Sequence, residues 1–355
     1  MMTPRENIIG LFRRTGYERL MPDYCMVPDL QQRFEAYCRD TGYIPPERAY
    51  VGIPGVPEDI PRSQDFWLQF YDHPFKEGTW FSEYGVAWEP GSAACFHMRH
   101  MYHPLENMET VAELASYPYP TFGNEPTAQM LEAVKQGHAA GKFCMGGMQC
   151  TVWETAWYAR GMEVMMMDML EEPELAEFVL DKVTDNSVHR AQAFAKAGVD
   201  GLYLGDDIGM QRTGMMSLEL YRRFLKPRLK KVIDAARAIK PDLIVLYHSC
   251  GYAKPYIDDL IEAGVDVLNP VQPESMDFKE LYQQYKGRLS FCGVLGTQSI
   301  MPFGTPEEVR KATFDYMDLV GPQGGLLACP THILEPEVPI ENVVAYLEAC
   351  RDYRP

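Results

Sequence analysis

A chain of 355 residues, 46% of them hydrophobic, can bury a large core, and its length suits one elaborated domain spanning residues 1–355. With 50 acidic against 33 basic residues and a formal net charge of -17, the surface repels phosphate backbones and anionic lipid, which excludes nucleic-acid and membrane-surface partners as a first reading. No stretch reaches the roughly 18 uninterrupted apolar residues of a membrane span, and Met1 to Gly16 has no apolar signal-like core, so the expectation is a soluble, cytoplasmic protein.

The chain opens with a helix signature: Thr3 as N-cap, Pro4 at the first helical position and Glu6 completing a capping box. Arg13, Arg14 and Arg19 follow on or beside this amphipathic start, where a solvated face is expected. A short strand is suspected over Leu20 to Met26. Residues 45–123 are rich in Pro, Gly and aromatics with weak periodicity, and read as a long irregular excursion packed on or over the mouth of the fold.

From about residue 127 the pattern becomes regular. Strands are predicted at Phe143 to Gly147, Gly201 to Gly205, Leu243 to His248, Val265 to Pro270, Leu289 to Gly293 and Gly325 to Cys329. Helical patterns alternate with them at Pro173 to Ala197, Ser217 to Ala238, Lys254 to Ala263, Phe278 to Tyr285, Pro306 to Val320 and Ile340 to Cys350. This alternation predicts an α/β fold with a parallel sheet, a (β/α)8 TIM-like barrel whose closure is inferred, since fewer than eight strands are evident. A doubly wound sheet is the alternative, but no G-x-G-x-x-G or Walker pattern follows an early strand.

The sharpest chemical signal is Leu243-Ile-Val-Leu-Tyr-His248-Ser-Cys250-Gly251, a β-run ending in H-x-C-G. Residues two apart in a strand share a face, so His248 and Cys250 point together at the strand end where barrel enzymes keep their chemistry. Imidazole and thiolate together favour zinc or another borderline-soft metal, and a catalytic site needs a third protein ligand with a fourth position open. The run Leu327-Ala-Cys329-Pro-Thr-His332 offers two, Cys329 and His332. The bland alternative is a hydrogen-bonded core histidine and an inert thiol. The chain's nine cysteines, an odd number spread from Cys25 to Cys350, read as reduced and mostly buried thiols.

Beyond these residues, the chain resembles the uroporphyrinogen decarboxylase superfamily, and within it the zinc-dependent, corrinoid-linked methyltransferases. The resemblance is carried by Met2-Thr-Pro-Arg-Glu6, Arg160-Gly-Met-Glu163, Gly205-Asp-Asp207, Ser217-Leu-Glu-Leu-Tyr221 and His248-Ser-Cys-Gly251. It continues through Gly264-Val-Asp-Val-Leu-Asn-Pro-Val-Gln272, Phe303-Gly-Thr-Pro-Glu-Glu308 and Pro339-Ile-Glu-Asn342, nearly the length of the chain. It implies zinc on His248 and Cys250, with a distant cysteine as third ligand. That cysteine is expected two residues after a proline, where this chain has His332. Cys329 precedes Pro330 instead, and thiolate softness favours it over His332.

The resemblance further implies methyl transfer between a small methylated substrate and the cobalt of a corrinoid (cobalamin) on a separate protein. The aromatic-rich front half points toward anaerobic O-demethylation of a methoxylated, aromatic compound. The alternatives are a thiol (coenzyme M-type) methyltransferase, a metal-free decarboxylase and a non-catalytic corrinoid-docking partner. The arginine-rich segment with which the decarboxylases hold porphyrinogen carboxylates is missing.

Further candidates sit at the same rim. Asp206 and Asp207 end a strand and are candidate metal, orienting or acid–base groups; only one of them faces inward, and an N-cap is the alternative. Glu154 is a candidate acid or fourth ligand, or else a first-turn helix carboxylate. Tyr203, Trp153, Trp157 and Tyr247 are candidate substrate-binding aromatics, with core packing as the alternative. Cys292 is a spare thiol, and the methionines of Met162 to Met169 read as core before a docking surface.

Overall fold

The computed structural model describes residues 2–91 and 99–355. Its centre is a curled sheet of seven parallel strands: β1 (Tyr50–Ile53), β2 (Phe143–Gln149), β3 (Gly201–Gly205), β4 (Ile244–His248), β5 (Val267–Asn269), β6 (Ser290–Cys292) and β7 (Leu326–Leu327). Each pairs with its neighbour in sequence order, and helices fill the crossovers, which is the (β/α) barrel of TIM type. Residues such as Leu202, Val245, Leu268 and Phe291 are fully buried, as parallel strands covered on both faces require.

Two expectations change here. The strand beyond the six predicted is β1, Tyr50–Ile53, inside the segment read as an irregular excursion; the glycine in Tyr50-Val-Gly-Ile53 and the prolines around it hide its pattern. Leu20 to Met26 forms no regular strand and pairs through one bridge, Met26 with Leu334. It nevertheless occupies the seam between the last and first strands. Leu334 N–H donates to Cys25 O at 2.8 Å and Ala49 N–H to Pro22 O at 2.8 Å. The eighth barrel position is thus held by irregular chain.

The rest of 45–123 contains helices Gln64–Trp67 and Val111–Ser116 and a small antiparallel sheet of Trp80–Phe81, Ala87–Trp88 and Met101–Tyr102. It packs on the helix after β2, Trp153–Arg160. Trp88 lies edge-on to Tyr158 at 5.3 Å, and His103 Nδ1 lies 2.7 Å from Tyr158 O.

The first helix, Pro4–Arg13, has the predicted Thr3/Glu6 capping box. Its arginines correct the solvated-face reading: they tie the helix to the strand starts, opposite the mouth. Arg5 meets Asp200 at 2.7 Å, Arg13 meets Asp266 at 3.5 Å, and Arg14 donates to Ser290 Oγ at 2.5 Å. Arg19 lies 3.8 Å from Glu47.

Most predicted helices end within a few residues of their expected limits. The stretch predicted over Ser217 to Ala238 is interrupted by a π-helical turn, Tyr221–Leu225, before Lys226–Arg237. Pro227 has no N–H to return to the carbonyl four residues back, so the ladder shifts register there. No helix among the described residues is long and apolar enough to cross a membrane.

Candidate active site

His248 is the last residue of β4, paired in register with Gly205 on one side and Asn269 on the other. A Cβ at Gly205 would stand 2.6 Å from His248 Cβ and 2.7 Å from its carbonyl oxygen, so only glycine lets the strands approach here. Asn269 Nδ2 donates to Cys292 O at 3.0 Å, which leaves its Oδ1 facing His248 Nδ1 at 2.7 Å. The Tyr203 hydroxyl also donates to that Oδ1, at 2.6 Å. Nδ1 therefore carries the proton, and Nε2 presents its lone pair toward the mouth.

Cys250 follows on the same side, with its Sγ 3.3 Å from His248 Nε2. Between them, buried Ser249 turns the other way and accepts from Ile208 N–H at 3.0 Å. Gly251, at φ 73°, makes the turn that leaves the strand. Asp207 Oδ1 accepts from Cys250 N–H at 2.7 Å and lies 3.8 Å from His248 Nε2. Burial pushes the Cys250 thiol up from its ordinary range, and Asp207 and Glu154 add to this; a cation beside it would reverse that preference.

His332 completes the group. After β7 the chain bridges Leu295 at Pro330, and the next turn carries His332 up to the rim. Its ring lies 5.8 Å from that of His248, and donor atoms of His248, Cys250 and His332 all fall within 4.8 Å of one another. Cys329 does not join them. It is buried one layer deeper, its Sγ 3.6 Å from Cys292 Sγ, because it precedes the turn that lifts His332. Thiolate softness favours Cys329, but the turn after Pro330 lifts His332 to the rim and leaves Cys329 below it.

A cavity of about 520 Å³ opens on His248 and His332 and is lined also by Glu154, Asp207, Tyr203, Asn269, Tyr24 and Tyr50. Glu154 Oε1 accepts from the Tyr158 hydroxyl at 2.8 Å and its Oε2 from Asp207 N–H at 3.1 Å. Burial, then the Asp207 charge, raises its carboxyl to about 7. A second cavity of about 540 Å³ opens on the Cys250 side, shares Asp207 and His332 with the first, and carries Gln211, Gln272, Gln298 and Thr297.

The remaining candidates divide by burial. Asp207 faces the cavity, while Asp206 is buried and accepts from the N–H groups of Val152 and Glu154 at 3.1 and 3.0 Å, capping the helix Trp153–Arg160 from a neighbouring strand. Burial and then Glu154 hold its carboxyl above the ordinary range. Trp153 is wholly buried with Nε1 on Met215 Sδ at 3.3 Å, and Tyr247 is buried with its hydroxyl 3.4 Å from Asp206 O. Trp157 packs edge-on to Tyr158. None of these three lines the cavity, which corrects their substrate-binding reading; Tyr203 does line it. Cys292, Met165 and Met169 are core.

Sequence reasoning gave no role to Asn269, Tyr158 or Arg48. Asn269 stands in the Gly264 to Gln272 run noted above, and the signal was available: a polar residue ending a buried strand beside the one that ends in histidine.

A parallel (β/α) barrel with a His–Cys–His group at the C-terminal strand ends is the enzyme-like class that fold and geometry define. The family description Uroporphyrinogen decarboxylase (URO-D) matches residues 100–353, and the chain belongs to that family. It is 28% identical over 207 residues to the methylated-thiol--coenzyme M methyltransferase of Methanosarcina mazei, covering 56% of this chain and 50% of that protein. It is 23% identical over 186 residues to the uroporphyrinogen decarboxylase of Coxiella burnetii, covering 52% and 49%. The chain thus spans about half the length of the curated relatives it matches. A solved methyltransferase from Methanosarcina mazei superimposes over 99% of both chains with a TM-score of 0.64 at 16% identity, which shows a shared fold. Relatives in this family are methyltransferases and decarboxylases, and the chain is related to both.

Proposed function

We propose that the protein is a zinc-dependent methyltransferase that moves a methyl group between a small methoxylated, aromatic substrate in the first cavity and the cobalt of a corrinoid on a separate protein. The observation that carries this reading is the donor set. One thiolate and two imidazoles converge within 4.8 Å, and the 3.3 Å between His248 Nε2 and Cys250 Sγ is near the roughly 3.5 Å expected for two ligands on one tetrahedral zinc. His248, Cys250 and His332 would hold the ion and leave a fourth position for substrate. When bound, zinc supplies Lewis acidity to the substrate heteroatom.

The chain's own residues supply the rest. Asn269 and Tyr203 fix the His248 tautomer, and Asp207 fixes the Cys250 backbone. Glu154, half protonated near neutrality, holds a proton in the cavity for a leaving oxygen. That proton supports an ether substrate: an alcohol or phenol oxygen leaves poorly without one, whereas a thiolate leaves readily. A thioether is the second reading, supported by the methylated-thiol relative. The amide-lined second cavity gives the corrinoid partner an approach from the Cys250 side.

Decarboxylation of a polycarboxylate fits less well. Arg48 is the one arginine lining the first cavity among the described residues, no lysine lines it, and the arginines of the first helix sit at the opposite barrel end.

Metal analysis tests the proposal. Wild type and Cys329→Ala are expected to hold a zinc equivalent that His248→Ala, Cys250→Ala and His332→Ala release. Zinc-loaded wild type is expected to convert chemically reduced cobalamin and a methoxyarene into methylcobalamin and the phenol. A zinc content in all three variants equal to that of wild type, or no methyl transfer from ether or thioether, overturns it.

A further inference from the structure

Asp23, Cys292 and Cys329 bring three potential ligand atoms within 4.8 Å of one another, outside the group described above. We infer that these three residues form a second site for a zinc-class divalent cation, one that clamps the seam of the barrel. The two sulfurs lie 3.6 Å apart. Two thiolates on one tetrahedral zinc, each about 2.3 Å from it, stand roughly 3.8 Å apart, whereas a disulfide brings them to about 2.05 Å. The pair is therefore spaced for a shared ion with little movement.

The position gives the ion a structural task. Cys292 ends β6, Cys329 follows β7, and Asp23 lies in the irregular segment that fills the eighth barrel position. That segment meets the chain beyond the last strand through one isolated bridge, Met26 with Leu334, so the seam lacks the strand-to-strand ladder found between the seven strands. A cation held from both sides would supply that link. The charges also close: two thiolates and one carboxylate against a dication leave a single negative charge, and the Arg48 guanidinium stands 3.5 Å from Asp23. Near-neutral balance is what a buried ionic group needs. Asp23 lines the first cavity, which provides the route of entry, and Tyr50 donates to its other oxygen at 2.5 Å.

Cobalt(II) is the probe, titrated into metal-free full-length protein. Wild type is expected to bind two equivalents. The double variant His248→Ala/Cys250→Ala, whose core thiols are intact, is expected to bind one, with the near-ultraviolet charge-transfer intensity of two thiolates per cobalt and a melting temperature raised by several degrees on binding. Cys292→Ser is expected to keep one equivalent, at the one-thiolate intensity. Failure of the double variant to bind cobalt overturns this inference, whether or not Cys292→Ser folds. Two-thiolate binding by both wild type and the double variant, at one equivalent each, upholds it while overturning the His248 centre.

Discussion

Asn269 Oδ1 sits 2.7 Å from His248 Nδ1, so a side chain at the end of one strand sets which nitrogen its neighbour offers to the mouth. Asn269→Ala removes the acceptor that fixes the ring and its tautomer. Zinc affinity at the His248 centre should fall by roughly 10- to 100-fold, while the fold remains. Competition against a chromogenic chelator measures it. An unchanged affinity would mean that Asn269 serves the strand and not the centre.

Glu154 gives the protein a pH dependence whose sign follows from its raised carboxyl. Below about 7 it is protonated and available as a donor; above, it is ionised. Ether demethylation should therefore decline through about pH 7, and Glu154→Gln should be slow at every pH with that limb absent. Stability moves the same way. A carboxyl whose folded value is raised from 4.5 contributes fully below that value, and the contribution is lost as pH rises through about 7. The shift corresponds to roughly 3 kcal/mol. Chemical denaturation at pH 5 and pH 8 should show wild type losing more stability between the two than Glu154→Gln. Equal losses would place the raised group elsewhere.

How far the sequence foretold this arrangement depends on whether a residue's partners are local. His248 and Cys250 share a strand, so spacing alone put them on one side, and the Asp206–Asp207 pair was bound to split. The choice between Cys329 and His332 turned on a bend at Pro330 that no periodicity reports. For Trp153 and Tyr247 the structure settles on the core-packing alternative, because an aromatic beside a strand end reads the same in sequence whether it faces the cavity or the core. The first strand was lost because four residues with an internal glycine carry too little pattern, and the arginines of the first helix because their partners, Asp200, Asp266 and Ser290, are distant in sequence.

Gly205 is a tight steric constraint on the His248 side of the centre. In Gly205→Ala the new methyl would lie 2.6 Å from His248 Cβ and 2.7 Å from its carbonyl oxygen, neither of which is a flexible side-chain end. The two strands must separate, at a cost of about 1–3 kcal/mol, and His248 moves with its strand. Urea denaturation should show the loss, and zinc affinity should fall with it. A variant of wild-type stability that binds zinc normally would mean the strands yield there without strain.

Tyr203 and Tyr247 make a matched pair for testing which tyrosine serves the cavity. Both are pushed above the ordinary phenol range by burial and act as neutral hydroxyls, but they point to different partners. Tyr203 donates to Asn269 Oδ1 at 2.6 Å and lines the cavity; Tyr247 reaches only Asp206 O at 3.4 Å. Tyr203→Phe leaves Asn269 with one donor fewer and removes a hydroxyl beside the substrate, so zinc affinity and kcat/KM should both drop several-fold. Tyr247→Phe removes a long, weak bond, worth no more than about 1 kcal/mol of stability, and should leave kcat/KM within twofold of wild type. The reverse ranking would mean that substrate reaches past β3 into the layer around Asp206, and that the cavity deepens when the protein is occupied.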